Sequence, residues 1–289
     1  MTSILGIVIT LVMVFGGYMF AGGKLEIILH SLPHEMIIIG GAAVGAFVVG
    51  NDANIIKHTI ADIGKAIMGP KWKKKDYSDV LCLMFELLRL ARESAVRVEG
   101  HIENPKESTI FQRYPRISGD HEATEIICDT IRSILMNFNN PHQVEDLLEK
   151  QLEAMHHDRM HGAHALQKMA AGLPALGIVA AVLGVIKTMA SIDKPPEVLG
   201  QMIGGALVGT FLGVFLAYGL VGPLSDKIAS AQDQDQRFYS LIRETIVASL
   251  QMHEPSLCVE VGRRNVPKKN RPSFNEVEDA LKALKKEAA

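Results

Sequence analysis

Apolar residues gather along this chain into four long runs, Ser3–Gly22, Met36–Gly50, Pro174–Ala190 and Gly200–Gly222, with polar sequence between and after them. A helix of about 20 apolar residues crosses the roughly 30 Å of hydrocarbon in a bilayer. The runs therefore predict four transmembrane helices. The segment 54–170 mixes apolar and charged positions with helical period and shows no strand-like alternation. Helices are expected over Asp79–Glu99, Ala123–Phe138 and Gln143–Lys168, the last leading into the third span. Pro105 and the stretch Arg113–Gly119 interrupt them. The fold class expected is all-α: an integral membrane protein of four transmembrane helices, with a large helical domain between helices 2 and 3. Its segments are 1–53 (helices 1 and 2), 54–170 (helical domain), 171–226 (helices 3 and 4) and 227–289 (tail).

Charge orients this pattern. Asn51–Ala171 carries sixteen Lys and Arg and the tail after Pro223 eleven. Gly23–Glu35, read as a loop, holds only Lys24, and the loop after the third span only Lys194, with Lys187 just inside the span. The positive-inside rule then puts both termini and the middle segment in the cytoplasm. The cluster Lys71-Trp72-Lys73-Lys74-Lys75 reads as a topology determinant, with anionic lipid binding as the other reading. The first span has no basic segment before it and no small-residue cleavage site after it, so it is expected to remain in the mature protein. A net charge of −2 points away from nucleic acid.

No Asp or Glu falls within the four runs. Protons crossing a membrane are usually carried by Asp, Glu or His. If the chain moves ions, the carrying group is expected from a partner chain. Glycines line the runs: Gly40, Gly41 and Gly45 in the second, Gly177 and Gly184 in the third, Gly204, Gly205, Gly209 and Gly213 in the fourth. Small residues let helix backbones approach closely in lipid. Packing within the chain and packing against other subunits both fit this pattern.

In the middle segment, Glu86, Arg89, Glu93 and Arg97 recur every three or four residues and are expected on one solvated helix face. Arg92 and Glu99, seven apart, are expected on a second. Cys82, Cys128 and Cys258 are odd in number and far apart, which fits reduced structural thiols. His157 and His161 stand one helical turn apart beside His156 and His164. A solvated polar face is the reading over a metal site, since Glu is absent from the HExxH position. Neither a GxSxG elbow nor a phosphate-binding loop occurs, so neither catalysis nor a cofactor is expected.

Five strings, in order, carry a resemblance. They are Val14-Phe15-Gly16-Gly17-Tyr18 with Gly22-Gly23; Glu103-Asn104-Pro105-Lys106-Glu107-Ser108 followed by Phe111, Tyr114-Pro115 and Arg116; Leu173-Pro174 through Val182; Met202 through Tyr218, closed by Pro223-Leu224; and Arg271-Pro272-Ser273-Phe274. Over nearly the whole chain the sequence resembles the MotA family of flagellar motor stator proteins. Their wider relatives are the TolQ and ExbB proton-channel subunits, with which this chain shares the last two spans in outline. The resemblance implies a multi-pass protein of the bacterial inner membrane that forms a pentamer around a MotB-type partner. That single-span partner supplies the membrane Asp, and the assembly turns proton flow into torque on the rotor protein FliG. It implies that Pro174 and Pro223 act as hinges, that Thr210 is a pore hydroxyl and that Tyr218 is a conduit-side aromatic. Arg92 and Glu99 match a charged pair that engages FliG, with a one-residue shift around Glu93–Ala95. Sodium-driven relatives tend to carry a hydroxyl at the position of Ala181, so alanine there implies protons. The competing expectations are a TolQ/ExbB-type energising complex, a stand-alone transporter and a membrane scaffold without ion flux.

Overall fold

The computed structural model describes residues 2–287, and every regular element among the described residues is helical. The chain opens with α1 (Thr2–Phe20) and α2 (Leu25–Glu35), which runs through a π-helical turn, Met36–Gly40, into α3 (Gly41–Val49) and then α4 (Ala53–Met68). The middle holds α5 (Lys74–Glu93), α6 (Ala95–Glu103), the one-turn helices α7 (Thr109–Gln112) and α8 (Pro115–Ser118), and α9 (His121–Leu135). After these come α10 (Pro141–Met189) and α11 (Pro196–Phe215), with a second π-helical turn, Leu216–Val221, leading into α12 (Gly222–Leu250). The last helices are α13 (Pro255–Asn265) and α14 (Phe274–Glu287).

These elements form two compact units, one of residues up to 69 with 159–231, the other of 70–158 with 232 onward. The first contains four helical stretches long and apolar enough to cross a membrane: Ser3–Phe20, Leu25–Val49, and windows inside Pro141–Met189 and Pro196–Leu250. Their surfaces confirm the environment. None of the first window is buried, and Phe20, Val49, Ile37 and Leu207 stand largely exposed. So much contiguous apolar surface is stable only against hydrocarbon or another apolar partner. Phe15 of α1 meets Phe211 and Phe215 edge-on, with centroids 6.0 and 5.7 Å away.

The second span differs from the sequence expectation. The loop expected over Gly23–Glu35 is helical from Leu25, and the membrane helix runs 25 residues to Val49. Pro33 lies inside it, and it winds wide immediately after Glu35. Starting the run at Met36 left Glu35 outside the span; the structure puts that carboxylate inside it.

The second unit is a helical core in which α5 is the central element, buried from Tyr77 through Leu90 at most positions. Asp76 starts α5 by accepting the Lys73 backbone N–H at 2.8 Å, and Asp120 caps α9 by accepting from Ala123 N at 2.7 Å. Trp72 stacks on Phe238, centroids 3.8 Å apart, and Tyr77 meets the same ring edge-on at 5.6 Å. Thus the aromatic of the basic cluster is a core residue, Lys71 pairs with Asp120, and Lys74 holds Glu276 at 2.8 Å. The four lysines themselves keep exposed side chains, so only the aromatic leaves the surface.

Two further expectations are corrected here. Glu86 is buried, accepting a hydrogen bond from the Tyr114 hydroxyl at 2.9 Å and one from Arg113, so it does not share a solvated face with Arg89, Glu93 and Arg97. The helix expected over Asp79–Glu99 breaks at Ser94, whose extended backbone ends α5 and whose hydroxyl caps α6. Arg92 and Glu99 therefore sit on different helices, and their spacing of seven does not place them on one face.

Candidate functional sites

The first site is the crossing of α10 and α11, built by glycines. A Cβ on Gly177 would stand 2.8 Å from the Gly209 carbonyl oxygen and 3.1 Å from Gly213 Cα. One on Gly184 would stand 2.6 Å from Ala206 Cβ. The distances of 2.8 and 2.6 Å are ones that real Cβ atoms essentially never show, so the two helices meet backbone to backbone. The glycines of the third and fourth spans thus serve packing within the chain. Gly40, Gly41 and Gly45 meet nothing within 4 Å and leave that face of the second span open.

Pro174 lies in the interior of α10, not at a helix start. Lacking an N–H, it leaves the carbonyl of Ala170 without its helical donor and crowds that carbonyl with its ring. The residue before it, Leu173, is buried against Gly213. Pro223 likewise is no helix stop. It is the second residue of α12, directly after the π-turn Leu216–Val221. Proline and π-turns are the recognised causes of kinks in long helices, and here they coincide. Tyr218 projects from that π-turn, 73% exposed.

Ala181 and Thr210 lie at one level of this crossing, next to the contact in which Ala180 Cβ and Ala181 N approach Gly209. Thr10 and Thr188 each donate to the carbonyl four residues earlier, at 2.9 Å. Among the described residues, Thr210 shows no such bond, so its hydroxyl is uncommitted. Glu35 closes the site from the α2 side. It is 7% exposed, its Oε2 has no hydrogen-bond partner among the described residues, and this oxygen occupies the space that a Gly209 Cβ would need, 2.7 Å from it. Sequence reasoning missed Glu35. The available signal was its spacing of four from Ser31 ahead of the apolar run.

The second site belongs to the second unit. Arg92, at the end of α5, donates to the Met252 carbonyl at 3.0 Å and pairs with Glu254 at 2.9 Å. Arg92 is thus tied to the α12–α13 connection, where Met252 takes a left-handed backbone (φ 64°). Glu99 lies exposed on α6. Around them the surface carries Glu93 and Arg97, 3.5 Å apart, and Val96, 78% exposed. In the same unit His156 Nε2 approaches Asp233 Oδ1 at 3.2 Å.

Burial pushes the Cys82 and Cys128 thiols up to about 12 and the Cys258 thiol to about 11. All three cysteines are free and buried, as expected for reduced structural thiols.

Four apolar spans, a glycine-built crossing and prolines inside the last two apolar helices describe a multi-span helical membrane protein. Residues 120–239 match the MotA/TolQ/ExbB proton channel family, and residues 4–95 match the Motility protein A N-terminal family. Across 286 residues the chain is 37% identical to Motility protein A of Salmonella typhimurium strain LT2, covering 99% of this chain and 96% of the relative. It is 37% identical over 282 residues to chemotaxis protein LafT of Vibrio parahaemolyticus, covering 97% and 98%. The chain belongs to the MotA family. In fold it is similar to a chain of the C. jejuni MotAB structure, with a TM-score of 0.72, 19% identity and coverage of 94% and 98%. It is also similar to one of the Bacillus subtilis flagellar MotAB stator complex, with a TM-score of 0.67, 22% identity and coverage of 93% and 97%.

Proposed function

We infer that this chain is a flagellar motor stator subunit that joins a MotB-type single-span partner in a proton channel and converts proton flow into torque on the rotor protein FliG. The observation that carries this reading is the likeness to Motility protein A over 99% of the chain. The match of residues 4–95 to the motility family, and not only of 120–239 to the wider channel family, favours a motor over a TolQ/ExbB-type complex.

The finer points form one proposal. The chain sits in the bacterial inner membrane with both termini cytoplasmic, supported by the crowding of Lys and Arg into 51–171 and the tail. It assembles as a pentamer around its partner. The exposed apolar residues of the last two spans, among them Val179, Val182, Ile186 and Leu207, supply surface for both kinds of contact. The partner's membrane Asp carries the proton past Thr210 and Ala181. Alanine offers no side-chain oxygen to a dehydrated sodium ion, which favours protons. Each charge moved across 100 mV delivers about 2.3 kcal/mol. Pro174 and Pro223, where helical hydrogen bonds are already missing, are the places at which that energy bends the helices. Arg92 and Glu99 pass the motion to the rotor. No step makes or breaks a covalent bond other than to a proton, and no cofactor is required.

Reconstitution of the chain with its partner in vesicles tests the channel. An imposed potential drives proton uptake in the complex and none when the partner's membrane Asp is replaced by Asn. Equal uptake in both would remove the partner carboxylate from the pathway.

A further inference from the structure

We propose that Glu35 is a proton-exchanging carboxyl of the channel wall, a second proton-binding group inside the membrane that this chain itself provides. The proposal rests on the proton-channel reading above. Ten residues past Leu25, Glu35 lies about 15 Å along a 25-residue helical stretch that is long and apolar enough to cross a membrane. It is buried there with Oε2 unpartnered among the described residues, at the Gly209 position where α10 presents Ala180 and Ala181. Gly209 thins the α11 wall at that point, so only backbone separates the carboxyl from the level of Ala181 and Thr210.

The helix around Glu35 is built for it. Pro33 leaves the Leu29 carbonyl without its helical donor, and the Met36 N–H is shared between the Leu32 and Pro33 carbonyls as the π-turn begins. Single π-turns inside α-helices are frequently found at functional sites. One turn before Glu35, the Ser31 hydroxyl faces Gly205, extending a polar seam toward the α1–α2 connection. The charged groups near Glu35 are His34 on its own helix and Lys187 on α10. Beyond Glu197, α11 has no ionisable side chain, and neither the π-turn Met36–Gly40 nor α3 has any. A carboxylate in such a place is expensive while charged, and taking up a proton removes the charge. The step is a proton added to one carboxylate oxygen and later returned, with no other bond changed.

The test compares proton flux through the reconstituted complex for the wild type, Glu35→Gln and Glu35→Asp. Glu35→Gln keeps the shape and loses the exchangeable proton, so flux falls about tenfold, equivalent to about 1.4 kcal/mol on the limiting step, while Glu35→Asp restores most of it. Wild-type flux in Glu35→Gln overturns the proposal and leaves the channel reading standing; no flux in the wild type strikes the channel reading instead. A second measurement needs no variant. Dicyclohexylcarbodiimide, which enters the bilayer and reacts with protonated carboxyls, labels Glu35 in the wild-type complex, as mapped by peptide mass. Failure of Glu35 to label while the reagent reaches other membrane carboxyls overturns the proposal even if Glu35→Gln does not assemble.

Discussion

The carbonyl oxygen of Leu173 faces Gly213 so closely that a Cβ on that glycine would stand 2.6 Å from it. Leu173 directly precedes Pro174, so this close approach of the two helices and the proline inside α10 share one helical turn. A bend at Pro174 therefore moves α11 as well as α10.

This pairing makes Pro174→Ala informative. Alanine restores the hydrogen bond to the Ala170 carbonyl and straightens the helix without adding bulk. Assembly with the partner stays intact, as checked by co-purification, and swimming is abolished. Normal swimming in this variant would sink the hinge.

Gly213→Ala acts differently, because the methyl group has only backbone atoms to push against: Leu173 O, Gly177 Cα and Gly177 N within 3.1 Å. Overpacking of this kind costs about 1–3 kcal/mol. The thermal midpoint of the detergent-solubilised chain drops, whereas Gly41→Ala, which meets open space within the chain, leaves it unchanged. Equal midpoints for all three proteins would mean that the crossing is looser than described.

On the other unit, Glu99→Lys reduces torque with little change in ion flow, because Glu99 is exposed on α6 and remote in sequence from every span. Replacing Arg92 has a structural component as well, since its guanidinium holds the Met252 carbonyl and Glu254. That pair is half-exposed and contributes at most about 1 kcal/mol, so Arg92→Ala folds. Stall torque of tethered cells beside proton conductance separates the two effects; a large conductance loss in Glu99→Lys contradicts a rotor-contact role.

Acid loosens the C-terminal helix first. The Lys74 ammonium and the Ser273 N–H hold the Glu276 carboxylate down at about 2. Because this value lies below that of the unfolded chain, the contribution of this pair to holding α14 is complete above the ordinary carboxylate range and is lost as pH falls toward about 2. Both groups are half-exposed, so the contribution is small. Pepsin digestion at descending pH cuts within α14 before α5. Glu276→Gln removes the pH dependence, and a dependence that survives the substitution assigns it elsewhere.

The spans were legible because hydrocarbon demands long apolar runs, and nothing else in the chain competes with that signal. The third helix of the middle segment, expected from Gln143, was legible through its unbroken periodicity; it begins at Pro141 and continues into the span. What escaped depended on tertiary partners. Glu86 has the spacing of a solvated residue, and only Tyr114 and Arg113, brought from 28 and 27 residues away, make burial tolerable. Trp72 sits among lysines, yet Phe238, far along the chain, draws it into the core. Ser94 breaks the helix through a local cap that periodicity overlooks. Glu35 was lost because Pro33, His34 and Glu35 together read as loop. In the structure the helix passes through all three, and Gly209 makes the room.

The central claim is proton-driven torque, and the most direct measurement is swimming speed in a strain whose only stator is this chain with its partner. In sodium-free buffer the strain swims, and a protonophore stops it. Swimming that requires sodium contradicts the assignment of protons through Ala181, and swimming that is equally fast without the gene contradicts the stator function itself.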